Sequence, residues 1–214
     1  MKSTLISSAL FLATVSAAPA ADITYSSSIS FEMVVSQGAR TCLPDARAQV
    51  SIQSSGIQGS IQSSAIVEDM FISVSGLPPN TEFHLFIIQV PNAPFGLSWY
   101  QGDLETDDNG NAMQHFRGRF SILTFIVAPG AAAAPLVFNN PPFPDAAQNP
   151  ATGAVHTYHL GLWFDSPTDA QKVGCPSTVT PFNGGHNAGI QVLNSSNYPD
   201  NLGPLGNLNI NLHQ

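Results

Sequence analysis

The chain has 214 residues, of which 43% are hydrophobic and only 9% charged, with a formal net charge of −8. That charged share is far below the ~25% usual in soluble domains. Such a surface excludes capture of nucleic acid or an anionic membrane by electrostatic field alone.

Residues 1–20 read as a secretory signal peptide. Lys2 is the only charge there, Leu5 to Val15 form a short apolar core, and Ala17, Ala18 and Ala20 supply small residues for cleavage. Residues 21–214 then suit a single domain. No later stretch approaches the ~20 apolar residues of a membrane span. The expectation is a soluble, secreted protein. In an oxidising compartment, Cys42 and Cys175 favour one disulfide; the alternative is two separate buried thiols. Asn194-Ser195-Ser196 is a glycosylation sequon.

Ile23 to Val35 predicts a first strand, with Ile29, Phe31 and Val34 inward. Gln37-Gly38 and Leu43-Pro44-Asp45 break it and leave Cys42 in a loop. Ala46 to Ile66 predicts a polar hairpin turning near Ser55-Gly56, with Ile52, Ile57 and Ile61 inward. Met70, Ile72 and Val74 alternate with Phe71 and Ser73, which is a strand with one buried face. After Gly76-Leu-Pro-Pro-Asn80, the run Glu82 to Val90 is nearly continuous in apolar residues. That pattern predicts a central strand covered on both faces. Leu104 to Thr106 and Ala112 to Phe120 are expected to pair across Asp107-Asp108-Asn109-Gly110, an Asn-Gly turn.

Residues 128–153 hold six prolines and a four-alanine run and read as a long Pro/Ala-rich loop. Val155 to Phe164 alternates cleanly. Tyr158, Leu160, Leu162 and Phe164 fall on one face; His159, Gly161 and Trp163 fall on the other. Ser166-Pro-Thr-Asp169 starts one short helix, about 166–173, which Gly174 ends. Ala188 to Leu193 and Asn207 to Leu212 predict the last two strands. The fold expected is all-β: a two-sheet antiparallel Greek-key sandwich with one short helix, a closed barrel being the second architecture.

Three kinds of chemistry can be looked for. His84, His115 and His159 each lie mid-strand. Glu82 shares a face with His84, and Arg117 with His115. If those strands are neighbours, one face carries groups for acid–base catalysis, as in an isomerase, cyclase or lyase. No chelating spacing is present, so neither a metal nor a cofactor is predicted, and a metal or redox protein is the weakest reading. Glu82, Glu105, Asp103 and Asp165 carry no spacing that pairs them as glycosidase carboxylates. The third kind is recognition. Phe95, Trp99 and Tyr100 in one loop, Phe138 and Phe143 in the Pro/Ala-rich loop, and Trp163 place rings where they can hold a small molecule or glycan. That binding role is the leading expectation.

The run Val74-Ser-Gly-Leu-Pro-Pro-Asn-Thr81, the Phe83-His-Leu-Phe86 strand and the Gly102-Asp-Leu-Glu-Thr-Asp-Asp-Asn-Gly-Asn-Ala112 hairpin carry a resemblance. Over residues 74–119 the chain resembles the Greek-key strands of copper/zinc superoxide dismutase-like and chordin-type domains. The resemblance implies a sandwich. It does not imply dismutase activity, because Phe86 stands where the copper pair needs a second histidine beside His84. Ile88 to Asp103 and His159 to Asn194 are also similar to secreted microbial β-sandwich proteins of uncharacterised function.

Overall fold

The computed structural model describes residues 28–54, 67–122, 124–127, 137, 153–181 and 184–208. The expectations at 1–20, at Ile57 and Ile61, at Phe138 and Phe143, and at 209–212 lie outside these residues.

Ten strands and one α-helix occur among the described residues: β1 Ser28–Val35, β2 Arg47–Ser54, β3 Glu68–Ser75, β4 Glu82–Ile88, β5 Ser98–Glu105, β6 Ala112–Gly118, β7 Phe125–Ile126, β8 Val155–His156, β9 His159–Phe164, α1 Pro167–Lys172 and β10 Gln191–Asn194. Eight of the strands form one sheet in the order β5-β4-β9-β10-β1-β2-β3-β6, and β7 and β8 form a small second one. Every pairing is antiparallel. The expected all-β class with one short helix holds. The main sheet is single, however, because β1 serves two partners. Ser28 to Met33 pair with β2, while Val34 and Val35 pair with β10. The sheet curls until its edge strands β5 and β6 approach, giving a nearly closed, barrel-like body.

Period-2 alternation explains the core. Met70, Ile72 and Val74 of β3, Ala48, Val50 and Ile52 of β2, and Phe83, Leu85 and Ile87 of β4 all point into one cluster. Leu160, Leu162 and Phe164 of β9 and Val192 of β10 close it. Each of these side chains except Ala48 contributes about 1.5–3 kcal/mol by leaving water. In β1 the inward residues are Phe31 and Met33 rather than Val34, which sits half-buried where the strand changes partner.

One expected pairing and one expected strand are corrected. The Asp107–Gly110 turn does join β5 to β6, through Gly110 N–H to Asp107 O at 3.0 Å and Asp107 N–H to Asn111 O at 2.7 Å. The strands then part: β5 pairs with β4, and β6 with β3. The Phe116 ring lies against Gly102, where any side chain would collide with it. At Asn207 a short 3-10 turn, Pro204–Asn207, replaces the start of the expected last strand, with Pro204 fixing its first residue. The helix is as expected. Ser166 Oγ accepts from Asp169 N–H at 3.2 Å, proline opens the helix, and Gly174 follows with φ +78°.

Cys42 and Cys175 form a disulfide with Cα atoms 5.2 Å apart. It ties the β1–β2 connection to the segment after α1.

Glu68, at the start of β3, is fully buried. One carboxylate oxygen accepts from Phe120 N–H at 2.8 Å; the other has no hydrogen-bond partner among the described residues. Burial raises its pKa against the lowering effects of that bond and of Arg119. A carboxyl whose folded pKa is raised binds its proton more tightly when folded. Its stabilising contribution is therefore present below about pH 4.5 and is lost as pH rises through the folded value. Glu68→Gln mimics the protonated acid at every pH. Urea melts of the two proteins are expected to match near pH 4 and to favour Glu68→Gln increasingly towards pH 8. Parallel curves would mean that Glu68 titrates as it does in the unfolded chain.

Candidate functional site

Strand β4 has two faces with different tasks. Phe83, Leu85 and Ile87 enter the core, while Glu82, His84, Phe86 and Ile88 line the outside. At one end that outer face carries a second apolar cluster of Phe86, Ile88, Trp163 and Ala188, with Phe95 packed on it. The Trp163 ring meets Phe86 and Phe95 edge-on, at centroid distances of 5.4 and 5.1 Å. The loop that delivers Phe95 is pinned. Pro91 O accepts from Gln191 Nε2 at 3.2 Å and from Asn194 Nδ2 at 3.1 Å, and Gln89 Oε1 accepts from Leu97 N–H at 3.2 Å.

At the other end the same face is polar. His84 stands opposite Asp103 of β5 and Trp163 of β9 in the ladders. Asp165 N–H donates to Glu82 O at 3.2 Å, which carries the β4–β9 pairing just past Phe164. Four side chains therefore meet. His84 Nε2 lies 3.1 Å from an Asp103 oxygen, 3.1 Å from an Asp165 oxygen and 3.7 Å from a Glu82 oxygen. One ligand atom from each of Glu82, His84 and Asp103 falls within 4.8 Å of the other two. The His84 side chain is 9% exposed, and the carboxylates form a solvent-facing rim around it.

Tyr100 completes the wall. Its ring meets His84 edge-on at 5.5 Å, and its hydroxyl donates to the Asp103 carboxylate. Burial first, then that hydrogen bond and the charges of Asp103, Glu82 and Asp165, push the phenol well above its ordinary pKa. It stays a donor throughout the neutral range and fixes the Asp103 side chain.

The three histidines do not converge, which corrects the expected sheet-face cluster. His159 lies opposite Ile88, four residues along β4 from His84, or roughly 13 Å away along the strand. It is fully buried, with Nδ1 2.8 Å from Ser195 Oγ and Nε2 3.2 Å from Asp200 O. A carbonyl only accepts, so Nε2 donates and Nδ1 accepts from the serine hydroxyl. Burial holds this imidazole below its ordinary pKa, as a neutral structural group. His115 lies on β6, the edge strand that pairs with β3. Its ring stacks on Phe71 at 4.5 Å, and its Nε2 lies 2.8 Å from Asp69. Arg117 Nε is 3.9 Å from the same Asp69 oxygen, so it belongs with His115 and not with His84. Of the expected catalytic set, only Glu82 joins His84.

The aromatic residues divide similarly. Trp163 is fully buried, Phe95 packs on it, and Trp99 is half-buried against the main core with its Nε1 3.3 Å from Gln101 Oε1. Tyr100, at 48% exposure, keeps an open ring face. Asn194 is fully buried, and its Nδ2 donates to Pro91 O and to Gln191 Oε1. A glycan on that nitrogen would have to break both bonds.

Asp103 and Asp165 are the site residues that sequence reasoning passed over as undistinguished carboxylates. Their only local signal was position: one opposite the His84 strand, one at the end of the alternating Val155–Phe164 run. Pairing and register, which are long-range, bring them together. No protein-family model, curated protein or solved structure matches the chain. The resemblance over residues 74–119 thus rests on those residues alone.

Proposed function

We propose that this chain is a secreted protein that binds one divalent transition-metal ion on the outer face of β4, β5 and β9. The observation that carries the reading is the convergence of three carboxylates on the Nε2 of one deeply set imidazole. Carboxylates this close repel one another, and a cation offsets that repulsion. A nitrogen donor among oxygen donors suits zinc or manganese better than calcium, whose sites are built of oxygen alone. His84, Glu82 and Asp103 would be the ligands. Asp165 borders the same point, and Tyr100 orients Asp103. The solvent-facing rim leaves coordination positions for water, the arrangement of reactive rather than sealed metal sites. The signal peptide motivates secretion, and the Cys42–Cys175 bond is compatible with an oxidising compartment. Small-molecule contact narrows to Tyr100, which lies with Trp99 on β5 and not in the expected 91–100 loop, because Phe95 and Trp163 are committed to packing.

The test is calorimetric titration of chelator-stripped protein with Zn(II) and Mn(II). One equivalent is expected to bind. At a free concentration about 100 times Kd, the ion should stabilise the fold by about 2.7 kcal/mol. His84→Ala and Asp103→Asn should each weaken binding by at least about tenfold, because each removes a ligand. Equal affinity in the parent and both variants, or no stoichiometric binding of either ion, would overturn the proposal.

A further inference from the structure

A second feature lies on the opposite half of the sheet. After Met33, β1 leaves β2 and pairs with β10, while β2 continues to Arg47 beside Ser75 of β3. The fork opens a cleft of about 520 Å³, within the ~300–1,000 Å³ range of ligand sites. Its outward-facing lining is Glu32 and Val34 from β1, Arg47 and Gln49 from β2, and Ser73 and Ser75 from β3. Neither Glu32 nor Arg47 forms an ion pair among the described residues. Their strands place them diagonally, about 7–8 Å apart at Cα.

The occupant follows from this chemistry. One carboxylate and one guanidinium balance, so neither an anion nor a cation is favoured as a class. The lining offers strong acceptors (Glu32), strong donors (Arg47), two hydroxyls with both, and the Gln49 amide, whose Nε2 already donates to Ser30 Oγ at 2.8 Å. A purely apolar molecule would desolvate Glu32, Arg47 and the two hydroxyls without giving them partners. A molecule carrying many hydroxyls, each both donor and acceptor, matches them. Two residues along β3 from Ser73, Phe71 is 41% exposed and stacked on His115, and Met113 of β6 is 75% exposed beside Ser73. These extend the cleft, which Met33, Val35, Ala46 and Ala48 also line, with an apolar platform on the same outer face, and sugar rings have both kinds of surface.

We infer that the β1–β2 fork is a binding cleft for a neutral oligosaccharide. Hydrogen bonds to Glu32 and with Arg47, Gln49, Ser73 and Ser75 read its hydroxyls, and Phe71 and Met113 contact its ring faces. The site is independent of the proposed metal centre on β4, β5 and β9.

The experiment is titration of the protein, in chelator so that the cation site plays no part, with cello-, xylo-, manno- and chitohexaose and with oligogalacturonate as the anionic comparison. NMR shift changes are read by residue. At least one neutral hexaose is expected to bind saturably, with shifts centred on residues 32–34, 47–49 and 73–75. The Arg47→Ala/Gln49→Ala double variant should weaken it at least about tenfold with an unchanged melting temperature, since both side chains are exposed. As a second variant, Phe71→Ala should lower affinity for the same sugar while leaving the fold intact. Shifts centred elsewhere, preference for oligogalacturonate, undiminished binding by the folded double variant, or no binding by any of the four neutral hexaoses would overturn the inference.

Discussion

Removing the Cys42–Cys175 bond is expected to lower stability by about 5 kcal/mol, from the loop entropy that a separation of 133 residues restores to the unfolded chain. For a domain of this size that corresponds to a fall of roughly 10–20 °C in melting temperature. The bond joins the connection after β1 to the segment after α1, so it bridges parts of the chain that the sheet ladders hold only at β1–β10, where two residue pairs meet. The comparison to make is the parent against Cys42→Ser/Cys175→Ser, in urea at fixed pH. A difference under about 1 kcal/mol would mean that the unfolded chain gains little freedom when the bond is cut.

Trp163→Ala is expected to cost about 3–5 kcal/mol, the range for deleting a large buried aromatic ring. The indole is the largest fully buried side chain and the centre of the outer apolar cluster. Its loss removes the surface on which Phe95 and Phe86 pack. Two further effects should accompany the destabilisation. The 91–97 loop should become more open to proteolysis. Zn(II) affinity should also fall several-fold, because His84 faces Trp163 across the β4–β9 ladder and loses its supporting neighbour. Zn(II) affinity equal to that of the parent in the folded variant would separate the metal centre from the aromatic cluster. A stability loss below about 1 kcal/mol would contradict the packing itself.

Particular residues show why some of this was readable in the sequence and some was not. The α1 cap was legible because Ser166, Pro167 and Asp169 act within one turn of chain. The burial of β4 on both faces was legible because an unbroken apolar run has few other fates. The Asp107–Gly110 turn was legible, but the hairpin inferred from it was not, since β5 and β6 have better partners in β4 and β3. Asn194 matched a sequon motif that carries no information about burial. Phe95 and Trp163 looked like ring-bearing contact residues, yet they face each other; 68 residues of sequence separate the partners, and no local rule links them.

Local sequence was enough to outline β1 to β4, β6 and β9, the inward faces of β2, β3, β4 and β9, the helix and its ends, and the two cysteines available to bond. It missed the start of β5, the inward set of β1 and the turn at Pro204–Asn207. The legible features follow from period-2 alternation, capping chemistry and counting, all of which act over a few residues. The tertiary structure alone decided that β4 lies between β5 and β9, and that β1 forks between β2 and β10. The first decision puts Asp103 and Asp165 against His84; the second opens the cleft at Arg47. Strand order and register are set by the packing of the whole core, because shifting one ladder by a single residue would turn every buried side chain of that strand outward.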